Sequence, residues 1–254
     1  SLAAFRYVVE EAEVWRPQMY DFLQEASAGF TLGYFVLLVL LGGVLYGIVR
    51  LEPMSAGSGI PQIKGILLGK MHMNWVRVLL FKFVGGVLAI GAGMSLGREG
   101  PSVQLGACVG QGVSRVEKRS RAEERFLLTA GAVAGLAAAF NAPLAGVIFC
   151  LEELHKNFSP LVLMATVAAA VVSTAVAQVV FGGAPVFHMG VLPVVPLGSL
   201  YVLLIFLGAF VGALGLDFNT ALQRALDAYT RIPLPGWQKP AIPLLTAGIL
   251  GFFL

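Results

Sequence analysis

FTLGYFVLLVLLGGVLYGIV, residues 30–49, is an apolar run without a single charged side chain. About 20 apolar residues are enough for a helix to cross the hydrocarbon core of a bilayer, so this run predicts a transmembrane helix. Further apolar stretches occupy residues 75–96, 126–151, 161–181, 197–216 and 241–254. The sequence therefore predicts an all-α fold, a polytopic membrane helix bundle.

The composition supports this interpretation. Hydrophobic residues make up 57% of the chain and charged residues only 12%, whereas a soluble domain carries about 25% charged residues. The net charge of +3 is typical of basic loops that face anionic lipid. We therefore expect a lipid bilayer around this chain and no nucleic acid partner.

Enzyme-like patterns are weak. His72, His155 and His188 are scattered without the spacing of a metal site, and Cys108 and Cys150 lie in apolar stretches where they predict buried packing residues. Residues 93–97, GMSLG, match the nucleophile-elbow pattern but have membrane-helix sequence on both sides. The sequence predicts no metal, no cofactor and no enzymatic activity.

The ends and the polar segments complete the outline. The first twenty or so residues predict an amphipathic helix, and the last apolar run stops without an interfacial flank. We expect one transmembrane domain over residues 1–254, truncated at both ends. The charged stretch 113–125 and the proline-containing stretch 224–240 each predict a loop.

The first motif is GSGIP, residues 57–61. Proline is favoured in the first turn of a helix, so Ser58 is expected just ahead of a helix N-terminus, where free N–H groups and a partial positive charge attract anions. The candidate chloride-binding residues are Gly57, Ser58, Gly59, Ile60 and Pro61. The alternative is a simple turn with a capping serine.

The second motif is GREGP, residues 97–101, in which Arg98 and Glu99 interrupt an apolar region. Ionisable groups at membrane depth are costly and usually functional. A carboxylate at Glu99 could occupy a helix start and give way to an anion when it takes up a proton. Arg98, Glu99 and Gly100 are thus candidate gating residues, and a structural Arg98–Glu99 ion pair is the alternative.

The third motif is the run GAVAGLAAAFNAPLAGVIFCLEEL, residues 131–154. It predicts a helix of small residues, a break at 141–143, and a second helix that ends in Glu152 and Glu153. Successive helical residues lie about 100° apart, so the two carboxylates lie on different faces of the helix. Both are candidates for proton transfer, and Glu153 is the preferred one. They could instead only mark the membrane interface.

Lys82 is flanked by apolar residues on both sides. A cation at this position would raise the local electrostatic potential in favour of anions. The alternative is that its side chain extends to the membrane interface.

Together, GSGIP, GREGP and the long third motif resemble the first half of a subunit of the CLC chloride channel and chloride/proton antiporter family. The resemblance implies that Ser58 contributes to the central chloride site, that Glu99 is the external gating glutamate and that Glu153 is the internal proton-transfer glutamate. It further implies that residues 1–196 form the first inverted repeat, incomplete at its start, and that residues 197–254 begin the second.

By the same resemblance, the expected activity is proton-coupled chloride exchange by a homodimer in the cell (inner) membrane, with chloride ions and protons as its substrates. A passive voltage- or proton-gated chloride channel of the same fold and a non-transporting membrane fragment stay as alternatives. The serine at position 58 implies chloride rather than nitrate. One departure follows GSGIP, because Gln62 and Lys64 stand where many relatives carry acidic residues.

Overall fold

A computed structural model describes residues 2–156, 159–182 and 200–253. In these ranges the chain is helical and contains no strand, so the predicted all-α fold is confirmed. The α-helices are α1 (Leu2–Glu25), α2 (Ala28–Leu51), α3 (Ile60–Leu67), α4 (Trp75–Gly91), α5 (Glu99–Val116), α6 (Arg121–Phe140), α7 (Pro143–Phe149), α8 (Pro160–Phe181), α9 (Leu200–Arg231) and α10 (Ala241–Phe253).

Several helices match the predicted membrane spans. Among the described residues, three helical segments are long and apolar enough to cross a bilayer: Ala28–Leu51, Pro160–Phe181 and Leu203–Arg231. The first contains the run at 30–49, and α10 is a shorter apolar helix. His188 and the predicted repeat boundary between residues 196 and 197 lie outside the described residues.

The apolar stretch 126–151 is broken where the sequence predicts. Helix α6 ends at Phe140, and Asn141 adopts a left-handed conformation with φ 54°, which asparagine tolerates better than most residues. Pro143 then opens α7. A π-helical turn, Cys150–His155, continues α7 and carries both candidate proton-transfer glutamates.

Two predicted loops are shorter than expected. Helix α5 continues to Val116 and α6 begins at Arg121, so most of the stretch 113–125 is helical. Ser120 caps α6 and forms a reciprocal capping box with Glu123. Helix α9 likewise extends to Arg231, inside the stretch 224–240. The loop predictions were wrong because charged residues can continue a helix past its apolar part.

The best-packed part of the bundle is the crossing of α5 and α6. Gly106 and Gly110 on α5 face Gly131 and Gly135 on α6, and a Cβ atom added to any of them would collide with the backbone of the facing helix. Small residues four positions apart let membrane helices approach this closely. The crossing therefore fixes α5 directly against the backbone of α6.

The chain divides into two compact units. One comprises Ser1–Val186 and Gly236–Leu254, and the other comprises Phe187–Pro235. In the first unit, α10 packs on α2, where a Cβ at Gly42 would overlap the backbone of Ala241. All candidate site residues lie in this first unit, and α9 belongs to the second.

Candidate functional site

The loop before α3 depends on two glycines. Gly57 and Gly59 have φ values of 65° and 87°, a region that is strained for residues with a Cβ atom. Ser58 lies between them, and its Oγ accepts a hydrogen bond of 3.4 Å from the backbone N–H of Ile60, the first residue of α3. Pro61 lies in the first turn. The predicted serine at a helix start is confirmed, and the long Ile60 bond provides only weak capping.

The side chain of Lys82 holds this loop in place. Its Nζ donates hydrogen bonds to the carbonyl oxygen of Ser55, at 3.0 Å, and to that of Gly57. The side chain is buried, with 4% of its surface exposed. The alternative in which Lys82 reaches the membrane interface is therefore wrong, and a buried cation lies next to the residues that hold Ser58.

Glu99 is the first residue of α5, as predicted, and this helix start packs against the loop of Ser58. A Cβ atom at Gly100 would lie 2.8 Å from the carbonyl oxygen of Ser58 and 2.9 Å from its Cβ atom. A Cβ atom at Gly97 would collide with the Glu99 carboxylate, which thus folds back over Gly97. The N-termini of α3 and α5 meet at this point.

A cavity of about 660 Å³ opens at this meeting point. Ser58, Lys82 and Glu99 line it together with mainly apolar residues of α2 and α4. Apolar walls strengthen electrostatic interactions because they exclude water. A cavity with two helix N-termini, a hydroxyl and a nearby ammonium group suits a dehydrated anion, and a carboxylate at its edge can compete for the same position.

Arg98 has a partner that the sequence analysis did not identify. Its Nη1 lies 3.1 Å from Oε1 of Glu10 on α1, and the same oxygen lies 2.7 Å from Nε of Arg6. The alternative of an Arg98–Glu99 ion pair is thus wrong. The interleaved charges of α1 were visible in the sequence, but nothing local indicates that Glu10 meets a residue 88 positions away.

The two glutamates of the π-helical turn have different surroundings, as predicted. The carboxylate of Glu153 accepts a hydrogen bond of 2.8 Å from Nζ of Lys64 on α3, whereas Glu152 is exposed. His155 lies 2.9 Å from the Thr129 hydroxyl, which itself donates to the carbonyl oxygen of Arg125. Neither glutamate lines the cavity of Ser58 and Glu99.

Potential metal ligands are not clustered in the described ranges. Within residues 2–156, 159–182 and 200–253, no group of three or more histidine, cysteine, aspartate or glutamate side chains could hold a metal ion. Cys108 and Cys150 are both buried, in agreement with their prediction as packing residues.

Comparison with known proteins decides the family. A family model described as voltage gated chloride channel matches residues 31–254, most of the chain. The chain belongs to this CLC family. The matched range includes the motifs at Ser58, Glu99 and Glu153.

Similar proteins of the CLC family are named as ion exchangers. The chain is 42% identical over 201 residues to the H(+)/Cl(-) exchange transporter ClcA of Salmonella arizonae, a match that covers 78% of this chain and 42% of that protein. The ClcA of Salmonella paratyphi B matches to the same extent. The chain thus spans less than half the length of these relatives.

Solved CLC structures agree with the fold. A slow cyanobacterial Cl⁻/H⁺ antiporter superposes with a TM-score of 0.88 at 35% identity, covering 99% of this chain and 60% of that one. A CLC-type fluoride/proton antiporter superposes with a TM-score of 0.71 at 23% identity, covering 98% of this chain and 64% of that one, which supports the fold alone. The chain is a helical membrane protein of the CLC type.

Proposed function

We propose that the protein exchanges chloride for protons across a membrane. The observation that carries the proposal is that Ser58 and Glu99 share one cavity, where the first turns of α3 and α5 meet. An anion site and a titratable carboxylate in the same space allow one ion to displace the other. The exchanger names of the CLC relatives support the same activity.

The proposed chloride site consists of the loop and first turn around Ser58. The hydroxyl of Ser58 and the N–H groups of Gly59 and Ile60 would donate to the anion, and the Ile60 N–H would then give up its weak 3.4 Å bond to Ser58 Oγ. Gly57 adopts the positive φ of this loop, and Pro61 in the first turn has no N–H donor of its own. The ammonium group of Lys82, which donates to the carbonyl oxygen of Ser55, adds positive electrostatic potential next to the loop.

The proposed gate is Glu99. As a carboxylate it competes with chloride for the positive ends of α3 and α5, and as a neutral acid it releases that position. Gly100 permits the close approach of α5 to Ser58. Arg98 is held by Glu10, so we assign it a positioning role for the start of α5.

The proposed internal proton acceptor is Glu153. It lies outside the chloride cavity and is partly exposed, with 44% of its side-chain surface open, so water can deliver a proton to it. Separate entry points for the proton and the anion suit alternating use of a buried site at broken helices. Glu152, which is more exposed, would contribute less.

The assembly and the repeat organisation are proposals from the family resemblance. We propose a homodimer in the cell (inner) membrane, with residues 1–196 as the first inverted repeat, incomplete at its start, and residues 197–254 as the beginning of the second. Chloride rather than nitrate is the proposed anion, because Ser58 occupies the first motif.

The exchange is tested with the protein expressed at full length and reconstituted into sealed vesicles. An outward chloride gradient is expected to drive uphill proton uptake, recorded with pH and chloride electrodes. Chloride flux without uphill proton movement would indicate a passive channel. Absence of any flux would indicate a chain that does not transport.

Glu99→Gln is the decisive variant, because glutamine mimics the protonated carboxylate but cannot titrate. Proton movement should fall to background while chloride flux persists, whereas exposed Glu11→Gln should behave like the unmodified protein. Proton coupling that survives Glu99→Gln would remove Glu99 from the mechanism.

A further inference from the structure

The two ends of helix α3 lie near different parts of the proposed mechanism. Its first turn follows Ser58, and its last turn carries Lys64. The Nζ atom of Lys64 lies 2.8 Å from Oε1 of Glu153, a residue 89 positions later in the sequence. One short helix therefore connects the proposed chloride site to the proposed proton acceptor.

The surroundings of Glu153 make Lys64 its principal partner. Helix α3 contributes Lys64, α7 has no ionisable side chain, and α6 contributes Thr129, which binds His155 rather than Glu153. Lys156 follows the π-helical turn directly. Among the described residues, the only ion pair recorded for Glu153 is with Lys64.

We propose that Lys64 is a positioning residue that holds Glu153 ionised and directed towards α3, and so sets the pH range in which Glu153 takes up a proton. The inference rests on the proton-transfer role proposed for Glu153. It goes further because it assigns a function to Lys64, which lies outside the three motifs and outside the cavity of Ser58 and Glu99.

The physical basis is the change in the pair when the proton arrives. An ammonium group stabilises a neighbouring carboxylate and disfavours its neutral form. When water delivers a proton to an oxygen of Glu153, the charge-assisted hydrogen bond becomes a weaker bond to a neutral acid. Lysine has three donors and no acceptor, so it cannot accept the new O–H group.

The exposure of the pair determines how strongly the effect acts. The side chains of Lys64 and Glu153 are 30% and 44% exposed, so solvent and salt screen their attraction. The same exposure gives protons access to Glu153. Lys64 therefore biases the protonation of Glu153 without preventing it.

Infrared difference spectroscopy tests the pair without requiring transport. The full-length protein in lipid is titrated with acid, and the carbonyl band of protonated Glu153 is assigned by its loss in Glu153→Gln. In Lys64→Met the midpoint of this band should shift to higher pH, since removal of the cation favours the neutral acid. Lys64→Arg should restore the midpoint, and exposed Lys70→Met should leave it unchanged.

An unchanged midpoint in Lys64→Met overturns the proposal, as does an equal shift in Lys70→Met. Lys64→Arg keeps the test valid if the methionine variant fails to fold, because addition of salt should then move the midpoints of Lys64→Arg and the unmodified protein upward together. A midpoint that does not respond to salt in either protein likewise overturns it.

Transport measurements separate this inference from the proposed function. In vesicles, the pH dependence of proton-coupled exchange should shift to higher pH in Lys64→Met, and in the Glu153→Gln background Lys64→Met should add no further change. If the unmodified protein moves chloride without protons, the proposed function fails while the infrared titration still decides the pair. If exchange is present but its pH dependence is the same in Lys64→Met, the role of Lys64 fails alone.

Discussion

At the scale of single residues, Glu152 and Glu153 are neighbours with different surroundings. Glu153 contacts Lys64 on α3, whereas Glu152 is exposed. The two positions therefore provide a matched pair for testing proton transfer, because they have the same chemistry and lie on the same π-helical turn.

We expect Glu153→Gln to lower proton flux about 100-fold, a typical contribution of a positioned proton-transfer group, while chloride flux persists. Glu152→Gln should cost much less. The measurement is simultaneous proton and chloride flux from vesicles. Equal losses in the two variants would instead identify a structural pair of charges.

Lys82 supports a second residue-scale prediction. Lys82→Met leaves the carbonyl oxygens of Ser55 and Gly57 without their buried donor. We expect a loss of about 3 kcal/mol in the free energy of unfolding together with weaker chloride binding, because the loop of Ser58 loses its support.

Thermal unfolding in detergent and chloride titration by calorimetry measure the two effects of Lys82→Met. Exposed Lys70→Met is the matched control and should change neither quantity. Normal stability with weakened binding would show that Lys82 acts through its charge alone. Normal values of both would contradict the prediction.

The sequence predicted the site residues better than their partners. Ser58 and Glu99 could be placed at helix starts because glycine and proline signal such starts locally. The partners Glu10 for Arg98 and Lys64 for Glu153 could not be predicted, since they lie 88 and 89 positions away. Such pairs depend on how the helices pack.

At the scale of helices, the crossing of α5 and α6 supports the gate. Gly106 faces the backbone of Gly131 without room for a Cβ atom. Since Glu99 begins α5, the position of the gate depends on this crossing.

Gly106→Val should therefore destabilise the protein by about 3 kcal/mol or more, the upper range for overpacking, and should impair coupling. Gly33→Val on α2 is the control, since a Cβ atom there would meet nothing within 4 Å. Thermal unfolding and proton flux measure the outcome. Tolerance of valine at position 106 would mean that the crossing is looser than described.

Helix breaks and loops were not equally predictable. The break at 141–143 was predicted because asparagine and proline at such positions oppose a continuous helix. The stretch 113–125 was wrongly predicted as a loop, since its charges continue α5 and α6. The π-helical turn was not predicted, because a single wider turn leaves no distinct pattern in six residues.

At the scale of the whole molecule, the exposed apolar surface is large. Helix α8 buries one side in the bundle and exposes others of its apolar side chains, including Leu161, Met164 and Val179. Lipid or another protein must cover such a surface. The proposed homodimer is one way to cover part of it.

We expect two copies per assembly when the full-length protein, labelled with one fluorophore per chain, is diluted into liposomes. Stepwise photobleaching should give mainly two steps at complete labelling. Predominantly single steps at lipid dilutions that preserve transport would contradict the homodimer.

The fold class could be predicted for the whole molecule because length of apolar runs and scarcity of charge leave few alternatives to a helical membrane bundle. The repeat boundary at 196/197 stays a prediction, since it lies outside the described residues. The homodimer also stays a prediction, because self-association depends on surface shape rather than on composition.

The direct contact between the backbones of α5 and α6 also limits which parts can move during a cycle. Backbones in direct contact resist sliding, so α5 is held rigidly against α6. Movement of the gate at the start of α5 is then expected from rotation of the Glu99 side chain. The proposed exchange would then need only a local movement at this helix start, while α5 keeps its place against α6.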